Sequence, residues 1–290
     1  MKDLFEQFLK EKQYLCNLSP KTIDSYRLAF KAYQRVLSSM RTVRADELPT
    51  KDTLKNFVIG MREAGLSPGG CNVYIRSINS YLTWLSENGH CEPLRIKQLP
   101  KPQTVIKVFT EQHIQALIRF KPTDQYEKRI HTLICLLIDT GARIDEALTA
   151  QVSNVDLEQM VVKVRGKGNK ERLLPISIEM RKILWVYLTR HRFKIGDYLF
   201  PTRDGNKMEY KNSLRDIKAV CKTLGIEGVR LSPHGMRHFY SQHYMKNGGD
   251  IYSLSRLLGH TSISTTQIYL RSMGIEDIRS SGKALSPLHR

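Results

Sequence analysis

Residues 160–176 read MVVKVRGKGNKERLLPI, and the fold class turns on this stretch. Val162 and Val164 alternate with Lys163 and Arg165, a period of two that suits a strand with one buried face. GKGN then offers a turn and LLPI a return. A β-hairpin with a basic tip is expected, in a chain whose other apolar residues recur at helical spacing. The expected class is therefore mainly α with a small antiparallel β-sheet.

Upstream of the hairpin, IHTLICLLIDTG (130–141) is apolar on nearly every side, which marks a buried central helix, and Gly141 is placed to end it. The first hundred residues carry helix-start signals instead: Ser19-Pro20, Ser67-Pro68, and Thr50 before a charged turn. Four short helices follow from them, at roughly 2–14, 20–38, 51–64 and 68–88. Between Cys91 and Thr110 the periodicity disappears, and Pro100 and Pro102 sit in a basic stretch that reads as an extended linker. The expected organisation is a helical domain over 1–90, a linker over 91–107, and a second domain with a C-terminal tail over 108–290. Downstream of the hairpin, helices are expected near 177–191 and 212–223, after Ser232-Pro233, and after Asp250 up to Gly259.

The chain has 290 residues, enough for two domains, and its 41% hydrophobic content excludes a disordered or collagen-like polymer. Charge is the unusual quantity: 46 Lys and Arg against 28 Asp and Glu give a net +18. The excess is not a tail, because 17 basic residues face 10 acidic ones up to Lys107, and 29 face 18 beyond it. A polyanionic partner is expected. Five scattered cysteines without a Cys-x-x-Cys pair indicate neither a disulfide framework nor a zinc site. The N-terminal residues lack a signal-like apolar core, and the run Leu133–Ile138 is too short to span a bilayer. A cytoplasmic protein with no membrane partner is expected.

Several polar residues could carry chemistry, and each has an ordinary reading. His234 and Arg237 form a common His-x-x-Arg pair, Arg143 opens an amphipathic helix, Lys167 sits on a turn, His260 follows a helix end, and Tyr269 has the setting of a half-buried packing residue. As an ordered set they are far more specific: Arg143 in TGARIDEAL, Lys167 in GKGNKER, His234 and Arg237 in PHGMRH, His260 in LLGH, Tyr269 in TTQIY. That arrangement resembles the tyrosine recombinases, the phage-integrase and Xer-type site-specific recombinases. The likeness covers the second domain by its motifs, and the first by a helix-rich, basic, SAM-like layout.

The chemistry explains the residue types. Attack on a DNA phosphodiester builds negative charge on the non-bridging oxygens, and two permanently charged, planar guanidiniums suit it. Arg143 and Arg237 are assigned to that clamp. The resemblance implies Tyr269 as the nucleophile forming a 3′-phosphotyrosyl link, His234 as base and phosphate ligand, and Lys167 as general acid for the departing 5′-oxygen, with Lys170 its rival. His260 is expected to hydrogen-bond and pack, and Glu146 to brace Arg143. Ala142 and Met236 stand where leucine is more usual, at packing positions.

No metal or other cofactor is expected on this reading. The resemblance further implies double-stranded recombination sites as partners and a tetramer on two duplexes, of identical subunits or with a paralogue, working through a Holliday junction. With no extra N-terminal arm-binding domain read in the sequence, a simpler Xer-like or small-element enzyme is expected. The competing readings are a type IB topoisomerase and a DNA-binding regulator without catalysis.

Overall fold

A computed structural model describes residues 1–38, 47–100, 107–166, 170–191, 193–194, 196–260 and 262–270, the side chains of 268–270 excepted. The chain divides into two compact units, Met1–Thr104 and Val105–Arg290.

The first unit is built from α1 (Lys2–Tyr14), α2 (Pro20–Ser38), α3 (Lys51–Glu63) and α4 (Pro68–Glu87). Their starts follow from the expected caps: Thr50 and Thr53 exchange side-chain bonds with each other's backbone N–H, and Ser67 Oγ accepts from Gly70 N. The core they close around is aromatic, with Phe5 stacked on Phe30 at 3.8 Å between ring centroids and edge-on to Tyr81 at 5.1 Å. Two buried polar tips are satisfied, Tyr33 Oη on Thr53 (3.1 Å) and Trp84 Nε1 on Glu11 (2.6 Å).

The stretch expected as linker is, up to Leu99, part of this unit's packing. Ile96 is buried and Leu94 and Leu99 are partly so. Without a partner strand, its backbone pairs with two amides on one face of α4. Asn79 exchanges both its groups with Ile96, and Asn72 does the same with Leu99, at 2.8–2.9 Å.

In the second unit, α5 (Glu111–Arg119), α8 (Ile178–Arg190), α9 (Tyr210–Thr223) and α10 (Pro233–Lys246) pack on α6 (Gln125–Thr140). Helix α6 is the expected buried centre: Leu133, Ile134, Leu136 and Leu137 have no exposed surface. It ends at Gly141, whose φ of 61° is left-handed and whose missing Cβ leaves room for the Tyr240 ring. The short α7 (Ile144–Thr149) follows directly.

The sheet has the order β1-β2-β3, all antiparallel: β1 (Val155–Asp156), β2 (Val161–Arg165) and β3 (Glu171–Pro175). The hairpin is where the alternation put it, with Val162 and Val164 buried and Val162 opposite Leu174. The two-residue β1 was not expected. Its hydrophobic signal is too short for a period to show. Helices α11 (Ile251–Leu258) and α12 (Ile263–Leu270) complete the described chain. Among the described residues no helix is long and apolar enough to cross a membrane.

Candidate active site

Gly259 is the point on which the site is assembled. It ends α11 in a left-handed turn (φ 63°), which leaves the last carbonyls of that helix without intrahelical partners. Two guanidiniums from distant elements take them. Arg237, on α10 and 3% exposed, donates through Nη2 to Leu258 O (2.9 Å) and through Nη1 to Gly141 O (2.8 Å). Arg143, at the start of α7, donates through Nη2 to Gly259 O (3.0 Å). Cations at a helix C-terminus are favoured electrostatically, so the same contacts that fix the arginines also stabilise α11.

The residue released by this turn is His260. Arg237 Nη2 donates to its Nε2 at 2.7 Å, and its Nδ1 pairs with Thr266 Oγ1 at 2.7 Å. That pattern makes Nε2 the acceptor and Nδ1 the protonated nitrogen. Burial first, and then the charges of Arg237, Arg143 and Arg172, push the His260 pKa down to about 4, so the ring is neutral near pH 7. His234 lies one turn before Arg237 on α10. Burial, followed by the charges of Arg230 and Arg237, lowers its pKa too, which leaves a neutral imidazole able to accept a proton.

Glu146 binds the opposite side of Arg143. It is 2% exposed, and its Oε1 accepts from Arg143 Nη1 at 3.0 Å. Its Oε2 caps α7 by accepting Arg143 N at 2.8 Å. Burial alone would raise its pKa, but hydrogen bonds and charge from Arg172, and then hydrogen bonds from Arg143, override it and hold the group below the usual carboxylate range.

Arg143, Glu146, Lys170, Arg172, Arg256 and His260 line one cleft of about 540 Å³. A second cavity of about 450 Å³ is more apolar, lies between α6 and α8, and is lined by none of the expected site residues.

Of the expected set, Arg143, Arg237 and His260 therefore meet at a single turn, with His234 beside Arg237 on its helix. Lys167 lies outside the described residues. Tyr269 falls within α12, and its side chain is likewise outside them.

Arg172 is the residue sequence reasoning passed over. Its Nη2 reaches Glu146 Oε2 at 2.7 Å, from a side chain 14% exposed. A signal existed: in β3, Arg172 and the buried Leu174 share a face, and an arginine at an inward strand position is uncommon.

The sequence pattern of the phage integrase family matches residues 107–274. The tyrosine recombinase XerD of Listeria innocua is 28% identical over 279 residues, covering 93% of this chain and 94% of that protein. The tyrosine recombinase XerA of Pyrococcus furiosus is 32% identical over 225 residues, or 77% of each. Among solved structures, the Tn1549 transposon integrase in complex with circular intermediate DNA superposes with a TM-score of 0.75 at 19% identity, covering 98% of this chain and 99% of that one, a likeness of fold.

Proposed function

The chain belongs to the phage integrase family and is a tyrosine recombinase, and from that premise we propose that it cuts and rejoins DNA at specific sites through a covalent tyrosyl intermediate. The observation that carries this reading is the pair of guanidiniums, Arg237 and Arg143, bonded to the consecutive carbonyls of Leu258 and Gly259 at the turn that presents His260. Donors held this way need no reorganisation when charge develops on a phosphate.

The steps follow from the chemistry of the groups. The Tyr269 hydroxyl attacks phosphorus, and the bond to the 5′-oxygen breaks as the 3′-phosphotyrosyl bond forms. A phenol of pKa about 10 is protonated at rest, and neutral His234 takes its proton. Lys167 gives a proton to the departing 5′-oxygen. Arg143 and Arg237 hold the non-bridging oxygens, with His260 hydrogen-bonded beside them. One phosphoester replaces another, so the bond energy is kept and neither ATP nor a metal ion is called on. A 5′-hydroxyl from a second duplex reverses the step, and a tetramer on two duplexes, of one chain or with a paralogue, carries the exchange through a Holliday junction in the cytoplasm.

The +18 charge supports duplex DNA as the partner. In this reading the helical first unit, Met1–Thr104, binds the core of the site, and the second, Val105–Arg290, holds the chemistry.

A nicked suicide duplex, which loses the 5′-hydroxyl strand after cleavage, tests it. A covalent protein–DNA adduct is expected from the wild type and none from Tyr269→Phe. An adduct that persists in Tyr269→Phe assigns the nucleophile elsewhere.

A further inference from the structure

The steps above give no role to Arg172, yet it is the residue that completes the buried charges of the cleft. Glu146 is a single carboxylate between two guanidiniums, Arg143 on Oε1 and Arg172 on Oε2. Of the three nitrogens of Arg172, only Nη2 has a hydrogen-bond partner among the described residues, while Nε and Nη1 are buried without one. Burying a guanidinium satisfied at one nitrogen is a net cost to folding, and such costs persist where they serve a site. Its position is set tightly on the other side as well: a Cβ at Gly259 would stand 3.0 Å from Arg172 Cδ and Nε and 3.4 Å from Arg143 Nη1. The turn that holds His260 thus packs against both arginines.

The electrostatics separate two jobs. Fixing Arg143 needs a hydrogen-bond acceptor in contact with it, which Glu146 supplies, but as a lone buried carboxylate it would neutralise the charge that Arg143 offers to a phosphate. A second cation on the far oxygen removes that conflict. We propose that Arg172 is a charge-balancing positioning residue: it occupies Glu146 so that this carboxylate can orient Arg143 without cancelling its charge toward the cleft.

The inference rests on the recombinase reading, and single-turnover cleavage of the nicked suicide duplex by the full chain keeps the two separable. If the wild type gives no adduct, the recombinase reading falls. If the wild type cleaves, the variants judge Arg172 alone. Arg172→Gln, which can still donate to Glu146 but has no charge, should cleave roughly 30- to 100-fold more slowly, with duplex affinity within about twofold. Adding Glu146→Gln removes the charge left uncompensated, and should recover at least about fivefold of the lost rate, a suppression that lost packing would not produce.

A 5′-bridging sulfur, which needs little protonation to leave, should not rescue Arg172→Gln, because the defect lies at the phosphate clamp. A wild-type rate in Arg172→Gln, a double variant no faster than the single one, or rescue by sulfur would each overturn the proposal. Should Arg172→Gln fail to fold, Arg172→Lys decides it: the charge is kept, so a rate within about fivefold of wild type supports the role, and a loss as large as that of Arg143→Ala refutes it.

Discussion

Among the described residues, the polar side chains buried in the first unit, Thr53 and Asn72, are neutral, whereas the second unit buries Glu146, Asp216 and Arg237 among its polar groups. The first closes on stacked and edge-on aromatic rings, an arrangement that gains from every contact and asks for no compensation. The second is no poorer in apolar residues, since α6 is buried along most of its length, but at the end of α6 it turns from packing hydrocarbon to holding charge. Desolvating those charges opposes folding, and their hydrogen bonds offset it only in one geometry. What such a region gains is preorganisation: guanidiniums already in place before a phosphate arrives.

That contrast breaks first at the arginines. Arg143→Ala and Arg237→Ala should each reduce adduct formation by about a thousandfold or more, because each removes a cation from the developing phosphorane. Duplex affinity, measured by fluorescence anisotropy at fixed salt, should change only a few-fold, since it is spread over many phosphates. Loss of binding in step with loss of cleavage would mean that the buried charges hold DNA rather than drive the reaction. Lys167→Ala comes next, with an expected loss of roughly a hundredfold to ten-thousandfold on ordinary DNA. A 5′-bridging sulfur should restore most of it. Absence of rescue would take the acid role from Lys167 and turn attention to Lys170.

How much of this was legible beforehand depended on whether a residue's partners lay nearby in sequence. Helices with a cap and a proline at their start could be read almost to the residue, because Ser67 and Ser232 bond to N–H groups three positions away. The hairpin was readable for the same reason, its period being local. Of the site, the residue types and order were readable, and their meeting point was not. Arg237 finds its partners 96 and 21 positions away, and Arg143 one of its own 116 away. Arg172 was missed because Glu146 lies 26 positions from it in the sequence. The hold of α4 on residues 96–99 escaped because asparagine amides stood in for a partner strand, and no hydrophobic period records that.

Acid should also separate the two units. The folded-state pKa values of His260, His234 and His238 are lowered, chiefly by burial, so between each folded value and the unfolded value near 6.5 the unfolded chain binds more protons. Their contribution to stability is complete above about pH 6.5 and is lost as pH falls, for His260 down to about 4. Glu146, also lowered, loses its contribution as pH falls below the unfolded carboxylate value of about 4.3 and on through its lower folded value. Buried thiols report each unit separately: Cys71 in the first, Cys135 and Cys221 in the second. With 4,4′-dithiodipyridine, which reacts at acidic pH, the urea midpoint for exposing Cys135 and Cys221 should fall between pH 7.5 and 5, and that of Cys71 should move less. Equal shifts would show that the buried neutral histidines are not what makes the second unit acid-sensitive.

The smallest effect on cleavage is expected from the first unit's own polar device. Asn79→Ala removes both partners of the Ile96 backbone, which is held against a buried side chain. Leaving one N–H and one C=O unpaired there should destabilise the first unit by about 1–3 kcal/mol. Trp84, buried in that unit's core, reports the loss by fluorescence in urea once Trp185 is replaced by Phe. Cleavage of DNA already bound should slow by less than about twofold, because no group that meets the phosphate has been disturbed and sites that share no partner act independently. A slowing as deep as that expected of Arg172→Gln would mean that the aromatic unit takes part in setting the arginines, and the separation between a region that binds and packs and a region that holds charge for reaction would have to be abandoned.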